Sequence, residues 1–297
     1  PSTEREVSLN TGQAVLSALL AKGYDAVGID LIPAQFVDQL KAARADIVFN
    51  AMHGRFGEDG ALQGTLDLLG IPYTGSGVLA SAIAMDKTIS KRLFLSAGVP
   101  TPQALYFEKN REITTLTAEI RRQFSLPVVV KAASQGSSIG VFIVMEDVQL
   151  EEAVMEAFRF SDRIVVEEFI KGRELTVAVI SGDDAEALPV IEIVPHSGRY
   201  DYRSKYTKGC TEYIVPAPLT SELTAKVQQI ALTAATLLGC RGVSRVDMMM
   251  DDSGNAFVLE VNTIPGMTAT SLVPKAAAAA GLDFPELCER LLLMAAV

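Results

Sequence analysis

The sequence predicts an α/β protein of two or three domains, and three observations predict it. The chain has 297 residues, enough for more than one core. Its first part alternates helical apolar spacing with short apolar runs, the rhythm of a parallel sheet with helices on its faces. The remainder groups strands and helices into α+β patterns and ends on a hairpin and a helix. Hydrophobic residues make up 49% and charged residues 21%, ordinary for a globular chain.

Thr11 to Lys22 carries helical spacing and stops at Gly23. Tyr24 to Ile29 and Ile47 to Ala51 read as buried strands, with a helix from Pro33 to Ala43 between them. Ala61 to Leu69 reads as a helix stopped by Gly70. The loop His53-Gly-Arg-Phe-Gly-Glu-Asp-Gly60 follows a strand, and parallel sheets bind ligands beyond the carboxyl ends of their strands. Val78 to Ala97 reads as one long helix, ended by the linker Gly98-Val-Pro-Thr-Pro102. The chain opens at Pro1 without a methionine or an opening strand; a first strand is expected to be missing, and no signal peptide is seen.

A smaller α+β unit follows, with strands near Ala104–Phe107, Pro127–Lys131, Val141–Val144 and Ile164–Phe169. Helices near Thr117–Gln123 and Leu150–Phe158 separate them. Leu175–Ile180 and Leu188–Ile193 read as further strands, Val194–Cys210 as loop, and Ser221–Leu238 and Phe284–Met294 as helices. The predicted limits are 1–86, 87–172 and 173–297.

The most informative segment is the hairpin Val243–Met250 and Ala256–Asn262. A two-residue turn at Ser253-Gly254 sets Val246 opposite Val261, Met248 opposite Leu259 and Met250 opposite Phe257, so one face is apolar. The other face sets Asp247 opposite Glu260 and Arg245 opposite Asn262. Two carboxylates opposed at about 5 Å repel by roughly 1 kcal/mol in water, and by more at lower dielectric. A divalent cation between them converts that cost into a site, and Asp, Glu and Asn oxygens suit Mg²⁺. A solvated outer hairpin face is the alternative.

Composition narrows the function. No apolar run approaches the roughly 20 residues that span a bilayer. A net charge of −10 argues against general nucleic-acid binding and demands a local basic site for any polyanionic ligand. Three widely spaced cysteines without a CxxC pair support neither a zinc site nor a disulfide framework, and fit a reducing cytoplasm. Two histidines exclude a multi-histidine metal site.

Between the strands ending at Lys131 and starting at Val141 lies Ser134-Gln-Gly-Ser-Ser-Ile-Gly140, a loop whose N–H and hydroxyl groups can wrap phosphate oxygens or simply form a polar turn. It lacks the Gly-Lys-Ser/Thr and following helix of a Walker loop. Lys131, at the inner end of an apolar strand, needs an anionic partner. Glu167, Glu168 and Glu174 end or follow an apolar strand and can serve a nucleoside or face solvent. Lys205-Tyr206 lies among tyrosines in a loop, and Gly266 allows close backbone approach or makes a turn.

Taken together these pieces resemble the D-alanine–D-alanine ligase family of the ATP-grasp enzymes. The segments that carry the resemblance run in order along nearly the whole chain: Glu4-Arg-Glu-Val-Ser8, His53 to Gly60, Pro72-Tyr-Thr-Gly-Ser-Gly77, Met85-Asp-Lys87, Gln135 to Gly140, Tyr200-Asp-Tyr-Arg-Ser-Lys-Tyr206, Arg245-Val-Asp247 and Glu260 to Thr268. The resemblance implies a three-domain ATP-grasp architecture: an N-terminal parallel-sheet (Rossmann-like) domain, a central α+β domain and a C-terminal α+β domain. It implies ATP between the second and third, with two Mg²⁺ ions (Mn²⁺ as the alternative) on Asp247, Glu260 and Asn262. Lys87, Lys131 and Lys205 would contact phosphates, and Glu167, Phe169, Ile170 and Glu174 would line the adenosine site. Glu4, with Ser137 and Tyr206, would bind the ammonium of the first D-alanine, near His53. Arg245 and the Gly266 amide would stabilise an oxyanion, and Ser271 with Leu272 would hold the second D-alanine.

The activity implied joins two D-alanine molecules through an acyl phosphate, for peptidoglycan precursor synthesis, in a cytoplasmic homodimer without nucleic-acid or membrane partners. Ala132, where the family commonly has proline, and Glu168, where it often has lysine, are expected to alter nucleotide affinity rather than reaction class. Tyr206 favours the dipeptide over a D-alanyl-D-lactate product. The alternatives are a depsipeptide ligase, another ATP-grasp carboxylate–amine ligase, and a nucleotide-binding protein without ligase activity. Asp247→Ala is expected to abolish turnover and leave the fold largely intact.

Overall fold

A computed structural model describes residues 4–136, 139–182, 184–196 and 209–296. It is a mixed α/β protein in which two antiparallel sheets dominate. The first, four-stranded, has the order β1-β4-β2-β3, from β1 (Ala104–Glu108), β2 (Val128–Ala132), β3 (Val141–Val144) and β4 (Arg163–Glu168). The second, six-stranded, has the order β10-β9-β5-β7-β8, with β6 also paired to β5. Its strands are β5 (Gly172–Ser181), β6 (Glu186–Ala187), β7 (Ile191–Pro195), β8 (Thr211–Ile214), β9 (Gly242–Asp251) and β10 (Ala256–Asn262).

Each sheet buries apolar side chains under helices. Helices α6 (Ile113–Gln123) and α7 (Leu150–Ala157) supply Leu116, Ile120, Leu150 and Val154 to one core with Val128, Val130, Ile164 and Val166. Helix α8 (Ser221–Leu237) covers one face of the six-stranded sheet, where Val227, Ala231 and Ala234 meet Leu175, Val177, Val246 and Met248. Small residues on α8 let its backbone approach the sheet closely. The opposite face is covered by α1 (Arg5–Ala21), α9 (Leu272–Ala279) and α10 (Phe284–Ala295), through Val15, Leu19, Val273, Leu287 and Leu291. Helix α1 begins at Arg5, earlier than the expected Thr11.

The expected N-terminal parallel sheet is reduced, among the described residues, to one parallel bridge between Val48 and Tyr73. Val48 donates to the Pro72 carbonyl at 2.8 Å and accepts from Thr74 at 2.9 Å. Tyr24–Ile29 forms no strand, and Val27 is 64% exposed, so its apolar character is not spent on burial. Helices α2 (Phe36–Ala43) and α3 (Ala61–Leu69) instead close a small core of Phe36, Leu40, Leu62 and Leu66.

The long helix expected over Val78–Ala97 is two: α4 (Val78–Met85) and α5 (Lys87–Ser96). Asp86 breaks it by turning extended and capping α5, its side chain accepting from the Thr88 and Ile89 amides. Arg163 binds the same carboxylate, fixing the break against β4. Helix α5 then packs between the sheets: Phe94 is fully buried in the core of the six-stranded sheet.

The hairpin departs from the expected register at its tip and keeps it at its base. The loop is three residues long, with Asp251 donating to the Asn255 carbonyl at 2.9 Å and Gly254 at φ +79. This pairs Met250 with Ala256 and Met248 with Val258, not with Phe257 and Leu259. A bulge between Val258 and Glu260 inserts Leu259 and restores the register, so Asp247 faces Glu260 and Arg245 faces Asn262.

Candidate active site

The base of the hairpin holds a compact charge cluster. Asp247 accepts from Arg245 Nε at 2.8 Å and from a terminal Arg245 nitrogen at 2.7 Å. Thr176 Oγ1, on the neighbouring β5, donates to it at 2.6 Å, and Asn262 Nδ2 at 3.0 Å. Glu260, the facing carboxylate, lies 2.9 Å from Lys87 Nζ. Each carboxylate is therefore compensated by a cation of the chain itself. Among the described residues no three His, Cys, Asp or Glu side chains converge as a metal cluster. Two carboxylates and a carboxamide fit a hard cation that brings phosphate and water oxygens as its other ligands. Asp247, Glu260 and Asn262 suit Mg²⁺ in that way.

Lys87 connects this cluster to the loop after β2. Its Nζ also donates to the Gln135 carbonyl at 2.7 Å, and its backbone amide to the Ala133 carbonyl at 3.0 Å. One residue on, Gly136 lies against Glu4: a Cβ there would stand 3.2 Å from a Glu4 carboxylate oxygen. Glu4 thus neighbours the loop that Lys87 ties to Glu260, the carboxylate paired across the hairpin with Asp247. The loop His53–Gly60 joins Glu4 from the N-terminal side. The His53 amide donates to Ser8 Oγ at 2.9 Å, and that hydroxyl donates to the Glu4 carbonyl at 3.1 Å. The buried His53 ring places Nε2 2.9 Å from Thr11 Oγ1 and Nδ1 3.5 Å from Glu58. Burial pushes the Glu58 carboxyl up, and His53 pulls it partly back.

Lys131 and Glu167 meet in the four-stranded sheet, 2.8 Å apart. Glu167 is 1% exposed, so its carboxylate faces inward between lysines instead of lining an open surface. Its other oxygen lies 3.3 Å from Lys91 Nζ, an ion pair without hydrogen-bond alignment. Burial pushes the Glu167 carboxyl up, but Lys131 and Lys91 outweigh it and hold it below the usual carboxylate range. Phe169 and Ile170 are half-buried just before Gly172, and Glu174 is half-buried on β5 opposite Met249 and Ile193.

Farther along, Gly266 lies against Ser271: a Cβ there would meet Ser271 Oγ at 2.9 Å, so a larger residue would have to displace that hydroxyl. Ser271 Oγ accepts from the Thr268 amide at 3.0 Å. The Leu272 side chain is buried in the core under α9, which leaves its backbone as the part able to meet a substrate. Ser137, Lys205 and Tyr206 lie outside the described residues. Sequence reasoning missed Lys91, Thr176 and Glu58. Lys91 carried a signal, since it stands one helical turn from Lys87 and three residues before the apolar Phe94.

Comparison with known proteins identifies the family. Residues 31–76 match the family model "D-ala D-ala ligase N-terminus", and residues 93–293 match "D-ala D-ala ligase C-terminus". The D-alanine–D-alanine ligase of Moorella thermoacetica is 47% identical over 298 residues, covering 99% of this chain and 96% of its own length. That of Pelotomaculum thermopropionicum is 46% identical, covering 99% and 93%. The crystal structure of the Bacillus anthracis enzyme complexed with ATP superposes with a TM-score of 0.86 at 35% identity, covering 100% of this chain and 94% of that one. By sequence over nearly its whole length and by fold, this chain belongs to the D-alanine–D-alanine ligase family.

Proposed function

We propose that the chain ligates two D-alanine molecules to D-alanyl-D-alanine, with ATP converted to ADP and phosphate, as a supplier of peptidoglycan precursor. The observation that carries this is 47% identity to a D-alanine–D-alanine ligase across 99% of the chain. The register that opposes Asp247 to Glu260 supports it at the level of chemistry.

In this reading the first D-alanine carboxylate takes the γ-phosphoryl group, and the amine of the second displaces phosphate through a tetrahedral intermediate. Asp247, Glu260 and Asn262 would hold Mg²⁺, which would supply charge neutralisation and Lewis acidity at the transferred phosphoryl group. Lys87 and Lys131 exchange their carboxylate partners for phosphate oxygens. Glu4, beside Gly136, receives the ammonium of the first D-alanine with Ser137 and Tyr206. Arg245 and the Gly266 amide face the oxyanion, where fixed donors act without reorganising. Ser271 and the backbone of Leu272 orient the second D-alanine. Lys205 adds phosphate contact, and Phe169, Ile170 and Glu174 border the adenosine. An acyl phosphate hydrolyses in water, so the loaded site must exclude water around it.

The finer reading is a cytoplasmic homodimer with domains at 1–86, 87–172 and 173–297, using two Mg²⁺ ions or Mn²⁺. Separate cores around Leu66 and around Ile164 support distinct first and second units, while Val15 and Leu19 of the first and Phe94 of the second pack into the cores of the six-stranded sheet. Leu68 and Leu79, 90% and 72% exposed, offer apolar surface for self-association. No helix among the described residues is long and apolar enough to cross a membrane.

Phosphate release coupled to a spectroscopic readout tests the function, with D-alanine, L-alanine and D-lactate as substrates. Release stimulated by D-alanine alone, with the dipeptide as product, is expected. Release from ATP that D-alanine does not accelerate would overturn the ligase reading, and dominant D-lactate incorporation near neutral pH would replace it by the depsipeptide one.

A further inference from the structure

We propose that Lys91 is a positioning residue for nucleotide binding, holding the buried Glu167 carboxylate so that the Lys131 ammonium is free to turn toward a phosphate. The inference rests on the nucleotide reading given above and concerns a residue to which that reading gives no role.

Lys91 has no route to a ligand. Its side chain is fully buried. The ammonium lies 3.3 Å from Glu167 Oε1 and donates to Thr101 Oγ1 at 2.6 Å, and that hydroxyl donates to the Val258 carbonyl at 2.8 Å. A cation this deep persists only with anionic and hydrogen-bonding partners. Yet the group is not neutral: Lys91 and Lys131 flank the single carboxylate of Glu167. One positive charge is in surplus, and Lys131 is the member with an outlet, its side chain being 9% exposed at the mouth of the loop after β2.

That surplus has a consequence for binding. If Glu167 had Lys131 alone, moving Lys131 to a phosphate would strand a buried carboxylate. Lys91 already sits on the other oxygen, so the carboxylate stays compensated whichever way Lys131 points. The charges facing Lys91 are Glu167 on β4, Lys131 on β2 and, farther off, Glu168. Burial, with Lys131 adding to it, outweighs the opposing pull of Glu167 and holds Lys91 at about 8. A phosphate that draws Lys131 away therefore strengthens the remaining Lys91–Glu167 pair. Helix α5 thus delivers two lysines one turn apart to two sheets: Lys87 to Glu260 on β10, and Lys91 to Glu167 on β4.

The test is Lys91→Met, which keeps the length and apolar stem and removes the charge. ATP binding is measured by calorimetry with Mg²⁺, and the KM for D-alanine by phosphate release. ATP binding about 10- to 100-fold weaker, with the D-alanine KM within about twofold, is expected from losing one charge-assisted interaction. Unchanged ATP affinity overturns the proposal. So does a parallel loss of ATP and D-alanine affinity, the mark of general damage. If Lys91→Met does not fold, Thr101→Val decides, because it removes the hydroxyl that fixes the ammonium. A severalfold loss of ATP affinity alone supports the role, and wild-type ATP affinity removes it. Wild-type protein that binds no ATP would overturn the nucleotide reading itself, a result distinct from either variant's.

Discussion

Replacing Asp247 by alanine removes more than a metal ligand. The carboxylate collects two bonds from Arg245, one from Thr176 and one from Asn262, and is 14% exposed. Breaking a buried charge pair from one side costs about 3–5 kcal/mol, and a neutral hydrogen bond about 0.5–1.5 kcal/mol. Residual solvent at the site and the breathing room left for Arg245 lower the sum, so Asp247→Ala should destabilise the ligand-free protein by about 2–4 kcal/mol. Asp247→Asn keeps the shape and one carbonyl acceptor and should cost about half as much. Both should abolish Mg²⁺-dependent turnover. Urea unfolding followed by circular dichroism in EDTA, beside phosphate release in Mg²⁺, separates the two effects. The sequence alone led to the expectation of an intact fold. An Asp247→Ala variant within about 0.5 kcal/mol of wild type would restore that expectation and refute the hydrogen-bond account. An Asp247→Asn variant with full Mg²⁺-dependent activity would refute the metal assignment.

Three further outcomes follow from the same structure. Phe94→Ala should cost about 3–5 kcal/mol in urea unfolding, since the ring is fully buried between α5 and the six-stranded sheet; a cost below about 1 kcal/mol would mean that α5 is not anchored there. Chelation should stop turnover without shifting the unfolding midpoint of nucleotide-free protein, because Lys87 and Arg245 already compensate Glu260 and Asp247; a large downward shift would show a structural metal. Lys91 is held at about 8 against 10.5, so between those values the unfolded chain binds its proton more tightly and stability rises with pH. Unfolding free energies measured across that window should rise more steeply for wild type than for Lys91→Met, and parallel curves would refute the lowering of Lys91 by burial.

What the sequence made legible was whatever depends on short-range pattern. The helices ending at Gly23 and Gly70, the strands Val141–Val144 and Val128–Ala132, and α8 all lie close to their expected places. Apolar periodicity and stop residues act locally, so they are readable locally. The break at Asp86 was readable in principle, because Asp followed by a helical run is a cap, but an unbroken apolar spacing masked it. The strands expected at Tyr24–Ile29 and Ile47–Ala51 show the opposite failure. Apolar content does not make a ladder, which needs a partner strand in register, and partners are a tertiary matter. The site followed the same division. The facing of Asp247 with Glu260 and of Arg245 with Asn262 was legible because strand alternation is a period-two rule, whereas Lys91 and Thr176 act through neighbours on other elements.

The hairpin shows why a reading that fails in detail still locates chemistry. Two errors cancelled: a three-residue loop displaced the pairs at the tip, and the bulge at Leu259 displaced them back. A one-residue slip carried to the base would have sent every second side chain to the other face and separated Asp247 from Glu260. The bulge is therefore the device that lets Met248, Met250, Ala256 and Val258 bury on one face while the carboxylates remain opposed on the other. Deleting Leu259 removes the bulge and carries the tip register through the base, which still sets Asp247 opposite Glu260, so Mg²⁺-dependent turnover should survive. A folded deletion variant without turnover would show that facing carboxylates alone do not make the site, and that the local twist imposed by the bulge is part of it.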